Sequence, residues 1–207
     1  MKIDSIIFDL DGTLWDSVEG ILLTWNRVIA QYKNLRPPIT RQEQEGLMGL
    51  QMDEISRRLF PTESPERQQA LMTECMEEEN RYLAQHGGIL YEGVEETLRK
   101  LAEKYPLCIV SNCQKGYIEA FLQAHKLGHL FTDHLSYGET LLSKGENNKL
   151  VIQRNGFQNP VYVGDTAGDR QSALDAGIPF VYAAYGFGTV DRFDAEIQAF
   201  SQLLNLF

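Results

Sequence analysis

Cysteine is scarce in this sequence, and it contains no long run of apolar residues. The three cysteines, Cys75, Cys108 and Cys113, are odd in number and lack the spacing of metal ligands, which argues against a disulfide framework or a zinc cluster and fits free thiols in a reducing compartment. No apolar run approaches the ~18 residues of a membrane span, and the N-terminus leads directly into a strand pattern without a signal-like region. These absences predict a cytoplasmic protein.

Positive charge is also in short supply. The formal net charge is −10 and the sequence pI is about 4.9, whereas nucleic acids and anionic membrane surfaces bind clustered lysine and arginine. We therefore expect neither as a main partner, and an anionic substrate has to be bound by a few local groups. Hydrophobic residues make up 43% of the 207-residue chain, which is enough for one sizeable core with a smaller lobe.

A long helical stretch separates the first strand from the rest of the chain. Apolar residues recur at helical spacing from Val18 to Tyr32, and further helical patterns follow without a strand-like run between them. About seventy residues of helix is too long for an ordinary crossover between strands. We predict a helical cap domain over 16–88, inserted into an α/β core that is formed by 1–15 and 89–207.

After the helical stretch, the pattern alternates between helix and strand, which predicts a Rossmann-like parallel sheet. Three buried strands of this sheet end in polar residues. The first ends in Asp9 and Asp11, the second in Ser111 and Asn112, and the third in Asp165. Because ligands of such sheets bind beyond the carboxyl ends of the strands, we expect these side chains to meet at one edge.

The C-terminal residues Phe200, Leu203, Leu204 and Phe207 recur at helical spacing. This spacing predicts a helix that packs on the sheet. A contact between two copies of the chain would give the same pattern, so the sequence leaves monomer and homodimer open.

The pair Asp9 and Asp11 is the most informative feature of the sequence. Residues two apart on a strand point to the same face, so both carboxylates meet at the end of an apolar strand. They would repel each other and lose hydration unless a cation or a substrate group holds them. An ordinary acidic turn bent at Gly12 is the simpler alternative from these residues alone.

The stretch from Asp9 to Leu14, DLDGTL, resembles the first motif of the haloacid dehalogenase superfamily, and the other motifs can be placed on this chain in the same order. Within the superfamily the chain resembles the phosphoglycolate phosphatase-like subgroup with a helical cap. The resemblance implies that Asp9 is a nucleophile and Asp11 a general acid and base in the transfer of a phosphoryl group to water. It also implies that Thr13 forms a hydrogen bond near these groups.

Two further segments resemble the second and third motifs of the superfamily. Ser111 and Asn112 correspond to the second motif, in which a hydroxyl and a neighbouring backbone N–H bind phosphoryl oxygens, although a plain turn is an alternative. Lys144 opens a helix and corresponds to the third motif, where its ammonium would offset phosphoryl charge and help keep Asp9 ionised. Lys149, inside the same helix, is the rival for this role, and a solvated lysine is the simplest alternative.

Asp165 and Asp169 resemble the fourth motif. The resemblance implies that Asp165 binds a metal directly, together with Asp9 and the backbone carbonyl of Asp11, and that Asp169 orients bound water or Asp165. Hard oxygen ligands with room for water suit Mg²⁺. A loop acid and an unrelated acid at a helix N-terminus are the alternative interpretation.

The implied reaction is hydrolysis of a small phosphorylated metabolite through an aspartyl phosphate. Haloacid substrates are disfavoured because the dehalogenases of the superfamily lack the second acid, which is present here as Asp11. Its sugar phosphomutases carry a histidine and a lysine where this chain has Ile21 and Met48, and its phosphonate hydrolases need a lobe lysine, for which only Lys33 is available. These two reactions, and a non-catalytic binding or regulatory module that keeps the fold, remain the alternatives.

Substrate choice is expected to reside in the helical lobe, which would close over the site. The break between two lobe helices at 46–53, with Gln51 and Met52, is predicted to face the leaving group. The turn Gly186-Phe187-Gly188 is predicted at the rim of the site. The acidic run 77–79 is interpreted as a solvated helix face.

Overall fold

The computed structural model describes residues 2–207 of the chain. Strands and helices alternate over most of its length, as the sequence predicts. The strands are β1 (Ser5–Phe8), β2 (Trp15–Asp16), β3 (Ile89–Leu90), β4 (Leu107–Ser111), β5 (Asp133–Ser136), β6 (Pro160–Gly164), β7 (Phe180–Ala183) and β8 (Ala195–Ile197). The helices are α1 (Val18–Ile29), α2 (Arg41–Glu45), α3 (Met52–Leu59), α4 (Pro65–His86), α5 (Val94–Ala102), α6 (Tyr117–His125), α7 (Tyr137–Thr140), α8 (Lys144–Asn155), α9 (Ala167–Ala176) and α10 (Leu203–Leu206).

Six strands form one sheet in the order β5-β4-β1-β6-β7-β8, and each neighbouring pair is parallel. The first strand of the chain lies near the middle, where Ile7 is paired with Cys108 on one side and Tyr162 on the other. All four residues of β1 are buried, because helices cover both faces of a parallel sheet. The predicted α/β class with a Rossmann-like parallel sheet is confirmed.

Alternate residues of β1 divide between two apolar clusters, one on each face of the sheet. Ile6 and Phe8 pack in the cluster that contains residues of α5 and α6, whereas Ile7 packs in the cluster that contains residues of α8 and α9. The ring of Phe200 lies against that of Phe8, with centroids 5.6 Å apart, and Leu203 is fully buried. The predicted packing of the C-terminal segment on the sheet is therefore confirmed.

The helices α1 to α4 enclose an apolar cluster of their own. Trp25 of α1, Ile55 of α3 and Leu71 of α4 are buried in it, apart from the two clusters of the sheet. We call α1 to α4 and the loops between them the helical segment. They lie within 16–88, and the assignment of that range as a separate domain stays a prediction. None of the helices within the described chain combines the length and the apolar composition needed to cross a bilayer.

The two connections between the helical segment and the sheet run side by side. Trp15 is paired with Leu90 and Asp16 with Ile89 in the antiparallel strands β2 and β3. We call this pair of strands the connecting ribbon. The sequence analysis did not predict these short strands, because two residues are too few to show a periodic pattern.

Candidate active site

Asp9, Ser111 and Asp165 stand at the carboxyl ends of three adjacent strands. Asp9 directly follows β1, Ser111 ends β4 and Asp165 directly follows β6, and β1 lies between the other two strands. Asp9 and Ser111 line one cavity together with Asp11, Asn112 and side chains of the helical segment. The volume of this cavity is about 30 Å³, which is room for about two water molecules.

The ammonium group of Lys144 lies between two buried carboxylates. Its Nζ donates to Oδ1 of Asp9 and to Oδ1 of Asp169, each at 2.7 Å. Burial opposes the charge of Lys144, but Asp169 and Asp9 outweigh it and raise the lysine pKa well above its ordinary value. Burial and the charge of Asp169 raise the pKa of Asp9, while Lys144 acts to lower it. The lysine is therefore a fixed positive charge within the acidic centre.

The position of Lys144 follows from the way α8 begins. The hydroxyl of Ser143 accepts a hydrogen bond from the backbone N–H of Glu146, whose carboxylate accepts one from the backbone N–H of Ser143. This capping box places Lys144 in the first turn of α8. Lys149, on the same helix, is exposed, and the contact with Asp9 is made by Lys144 instead.

Asp165 is packed between two turns that glycine makes possible. Gly12 has φ of +79°, and a Cβ on it would lie 2.2 Å from Oδ2 of Asp165. A Cβ on Gly186 would lie 2.3 Å from Cβ of Asp165, and the backbone N–H of Phe187 donates to Oδ2 of Asp165 at 2.7 Å. The turn predicted at the rim of the site thus lies directly against one of its acids.

Both oxygens of Asp169 are engaged in hydrogen bonds. Oδ2 accepts from the backbone N–H and the hydroxyl of Thr166, at 2.9 and 2.7 Å, and from the backbone N–H of Asp165 at 3.2 Å. Oδ1 accepts from Lys144. Asp169 therefore orients the backbone of Asp165 and the ammonium of Lys144.

The residues at this edge fit a divalent cation. Asp9, Asp165 and Asp169 offer carboxylate oxygens that all lie within 4.8 Å of one another. Oδ1 of Asp165 is buried and has no hydrogen-bond partner, and burial together with the charge of Asp169 raises the pKa of Asp165. Closely spaced carboxylate oxygens are ligands for hard cations, so the donor set is chemically suited to such an ion.

Three donors hold Oδ1 of Asp11. They are Nε1 of Trp15 at 2.9 Å, Oγ of Ser17 at 2.7 Å and the hydroxyl of Tyr117 at 2.7 Å. Burial raises the pKa of Asp11, and these hydrogen bonds oppose that rise. The sequence analysis did not find these partners, and no local pattern marks Tyr117. The hydroxyl of Thr13, by contrast, has no hydrogen-bond partner in the described part of the chain although its side chain is fully buried.

The second-motif residues contact two different parts of the molecule. Ser111 is buried at the end of β4, and its hydroxyl accepts from the backbone N–H of Cys113 at 3.4 Å. Nδ2 of Asn112 donates to the backbone carbonyl of Gly49 at 3.0 Å, across to the helical segment. Asn112 therefore joins the edge of the sheet to the loop between α2 and α3.

That loop supplies a wall of the cavity. Met48 and Leu50 of the loop line the cavity, as do Met52 at the start of α3 and Ile21 of α1, whereas Gln51 is not among the lining residues. The predicted segment thus faces the acids, but through its apolar side chains. This wall is largely apolar.

Glu79 of α4 also lines the cavity, which contradicts the interpretation of the run 77–79 as a solvated face. Glu79 is 1% exposed, whereas Glu77 is exposed. The error has a simple cause, because Leu71, Cys75, Glu79 and Leu83 are spaced four residues apart and share the buried side of α4. That spacing is the signal that could have identified Glu79.

The sheet and its buried acidic edge define an α/β protein of the Rossmann-like class. The sequence model of the haloacid dehalogenase-like hydrolases matches residues 6–183, which is most of the chain. The chain belongs to this family, and the predicted membership is confirmed.

Curated relatives and solved structures agree with this result. A phosphoglycolate phosphatase of Rhodobacter capsulatus is 30% identical over 195 residues, covering 88% of this chain and 85% of that protein. A phosphoglycolate phosphatase of Aliivibrio fischeri is 29% identical over 195 residues, covering 88% and 84%. A Haemophilus somnus structure, named a predicted phosphoglycolate phosphatase, superposes with a TM-score of 0.88 at 24% identity, covering 100% of this chain and 98% of that one, and supports the fold. The predicted hydrolase of phosphatase type is confirmed.

Proposed function

We propose that this protein is a Mg²⁺-dependent phosphatase that hydrolyses a small phosphate monoester through an aspartyl phosphate on Asp9. One observation carries the proposal. The carboxylate of Asp9 is buried, bound to the ammonium of Lys144, and lines a cavity that it shares with Asp11 and Ser111. A nucleophile, a candidate acid and donors for phosphoryl oxygens thus face a single space.

In the first step, an oxygen of Asp9 attacks the phosphorus and the bond from phosphorus to the leaving alcohol breaks. Asp11 gives its proton to the leaving oxygen, so an alcohol departs. Lys144, Ser111 and the backbone beside Asn112 offset the charge on the phosphoryl oxygens. Trp15 and Tyr117 support this role by fixing the orientation of the Asp11 carboxyl group.

In the second step, water attacks the phosphorus of the aspartyl phosphate, and Asp11 takes its proton. The bond from phosphorus to Asp9 breaks, which releases phosphate and restores the carboxylate. Splitting the reaction in this way replaces one difficult step by two easier ones. Asp9, Asp165 and the backbone carbonyl of Asp11 would hold Mg²⁺, with Asp169 behind Asp165; when bound, the ion supplies positive charge that stabilises the developing negative charge.

We also propose that 16–88 acts as a cap domain over a core formed by 1–15 and 89–207. The connecting ribbon supports this division, because both junctions lie at one place. The cavity of about 30 Å³ is too small for a bulky ester, so the cap has to move for a substrate to enter. The names of the curated relatives suggest a small phosphorylated metabolite as the substrate. A cytoplasmic location, and a monomer or homodimer, are part of the same proposal.

The two enzymatic alternatives have less support. Ile21 and Met48, which stand in place of the phosphomutase histidine and lysine, both line the cavity and offer no group to handle a sugar hydroxyl. Lys33, the lysine of the lobe, is exposed and is not among the cavity residues, which argues against a Schiff base as in phosphonate hydrolases. A non-catalytic module is disfavoured because the curated relatives are named as phosphatases.

The proposal is tested by metal dependence of phosphate release from p-nitrophenyl phosphate. We expect chelation to abolish turnover and Mg²⁺ to restore it. Ca²⁺ should substitute poorly, because its larger and looser coordination shell misplaces Asp9 for in-line attack. Turnover that survives chelation would contradict the proposed metal role, and equal rates with both ions would show that metal geometry does not control the reaction.

A further inference from the structure

The ionisable side chains that line the cavity are all acidic. Among the described residues that line it there is no lysine, arginine or histidine, whereas Asp9, Asp11 and Glu79 are acidic. Asp9 and Asp11 belong to the proposed chemistry. Glu79 does not, because it lies on α4, on the wall that would face the leaving alcohol.

Glu79 is held as a hydrogen-bond acceptor. Its Oε2 accepts from Nε1 of Trp25, and its Oε1 accepts from Nε2 of Gln114 at 3.1 Å. Both oxygens of the carboxyl group therefore face N–H donors. Burial raises its pKa to about 8, so its charge is unfavourable in the empty cavity. A neighbouring anion would increase that penalty, and a neighbouring cation or hydrogen-bond donor would offset it.

Three further acceptors on the cavity lining have no donor. Oε1 of Gln44, Oε1 of Gln114 and Oδ1 of Asn112 are buried without a hydrogen-bond partner. The orientation of two of these amides is fixed, because reversing Gln114 would place its oxygen against Glu79 and reversing Asn112 would place its oxygen against the carbonyl of Gly49. Gln44 and Gln114 are 1% and 5% exposed, so bulk water does not satisfy them.

We propose that the leaving alcohol of the substrate has no negative charge and donates hydrogen bonds to this acceptor wall of Gln44, Glu79 and Gln114. The inference rests on the phosphatase function proposed above and names its substrate class, which is phosphate esters of alcohols that carry a further hydroxyl or an amine. Glycolate, the leaving group in the name of the curated relatives, has a carboxylate instead. In this cavity that carboxylate would face Glu79 without a lysine, arginine or histidine to pair with.

The test is a series of esters of matched size, assayed on the full-length protein with Mg²⁺ at about pH 9, above the raised pKa of Glu79. We compare 2-phosphoglycolate with ethylene glycol monophosphate and O-phosphoethanolamine, whose leaving groups are anionic, neutral and cationic. The two donor-bearing esters should exceed 2-phosphoglycolate in kcat/KM by about tenfold or more, because a site built to accept hydrogen bonds rejects an analogue that does not supply them. The ratio of kcat/KM for ethylene glycol monophosphate to that for O-phosphoethanolamine shows whether the acceptor wall prefers a hydroxyl or an ammonium group.

The outcomes separate this inference from the function on which it rests. A kcat/KM for 2-phosphoglycolate that equals or exceeds both other values, with all esters hydrolysed, overturns the inference and leaves the phosphatase function standing. Absence of hydrolysis for every ester, p-nitrophenyl phosphate included, overturns the proposed function itself.

Glu79→Gln tests the wall directly when it is compared with the wild type at about pH 9, where Glu79 is ionised, because it removes the charge and keeps the size of the side chain. The ratio of kcat/KM for 2-phosphoglycolate to that for O-phosphoethanolamine should rise about tenfold. Glu77→Gln is the matched control on the exposed side of α4 and should leave the ratio unchanged. An equal ratio in the folded Glu79→Gln variant and the control would overturn the role of Glu79. The wild-type series decides the inference if Glu79→Gln fails to fold.

Discussion

The sheet edge and the helical segment contribute different kinds of side chain to the site. On the sheet side, the buried carboxylates of Asp9 and Asp169 accept from the ammonium of Lys144, and Asp165 packs against Gly12 and Gly186. On the side of the helical segment, Met48, Leu50 and Met52 are apolar, Glu79 is a buried carboxyl group, and Oε1 of Gln44 lacks a donor.

The contrast shows how one fold can serve many substrates. The sheet side holds the groups to which we assign phosphoryl transfer, and it is stabilised by parallel strands on both sides of β1. The helical segment has its own apolar cluster, so its side chains can change without disturbing the strands. In the proposed function, the reaction and the choice of substrate thus belong to regions with separate apolar clusters.

The largest expected effect comes from Asp9→Asn on the sheet side. The change removes the proposed nucleophile and a metal ligand but keeps the size of the side chain, so kcat should fall by roughly 10⁴-fold or more. The fold should persist, because an amide is easier to bury than a carboxylate. Steady-state kinetics and circular dichroism measure the two results. Near-normal turnover in this variant would contradict the proposal that Asp9 on the sheet side is the nucleophile.

Lys144→Met should have the next largest effect. It leaves Asp9 and Asp169 without their buried counter-charge, so the free energy of unfolding should fall by about 3–5 kcal/mol. Loss of the fixed charge should also lower kcat by roughly 10²–10³-fold. Urea unfolding and kinetics on p-nitrophenyl phosphate report the two effects.

The matched control is Lys149→Met, on the exposed part of the same helix. It should change the free energy of unfolding by less than about 0.5 kcal/mol. A similar loss of activity in both variants would mean that α8, and not the ammonium of Lys144, is what the site requires.

A smaller and more selective effect is expected from Met52→Ala in the helical segment. Met52 lines the cavity, so its truncation should raise kcat/KM for bulky esters relative to compact ones by about tenfold. Gln51→Ala, one residue earlier and outside the lining, is the control. A uniform decrease in kcat/KM across all esters would indicate that Met52 supports closure. It would contradict the proposal that the helical segment selects the substrate.

The last expected effect concerns stability instead of activity, through its dependence on pH. Because the folded protein raises the pKa of Glu79 from 4.5 to about 8, it binds more protons than the unfolded chain between these values, and stability falls as pH rises through this window. Cys75, Tyr117 and Asp11 are the titratable groups near it. Urea unfolding of Glu79→Gln should therefore lose less stability from pH 5 to pH 8 than the wild type. An identical dependence of the free energy of unfolding on pH in the variant and the wild type would contradict the raised pKa of Glu79.

Much of the sheet side could be predicted because its signals are local in the chain. Asp9 and Asp165 each follow an apolar strand, and the end of a strand is readable from its neighbours. Lys144 follows Ser143 and precedes Glu146, a pattern that predicts the start of a helix. Parallel pairing then brings such ends together, so their meeting at one edge follows from the fold class.

The buried partners of Asp11 and Glu79 could not be predicted in this way, because their contacts join distant positions. Tyr117 reaches Asp11 across 106 residues, and Trp25 reaches Glu79 across 54. Such contacts depend on how helices are placed against each other, which local patterns do not encode. Gln114 is a further case, since it donates to Glu79, which lies 35 residues earlier in the chain.

The connecting ribbon links the orientation of the Asp11 carboxyl group to the position of the helical segment. Asp11 is tied at one oxygen to Trp15 in the ribbon, to Ser17 at the start of the helical segment and to Tyr117 on the sheet side. A swing of the helical segment about the ribbon would pull at least one of these donors away and release the carboxyl group from its fixed direction. In the proposed mechanism, the carboxyl group of Asp11 is therefore oriented as a proton donor only while the helical segment lies against the sheet.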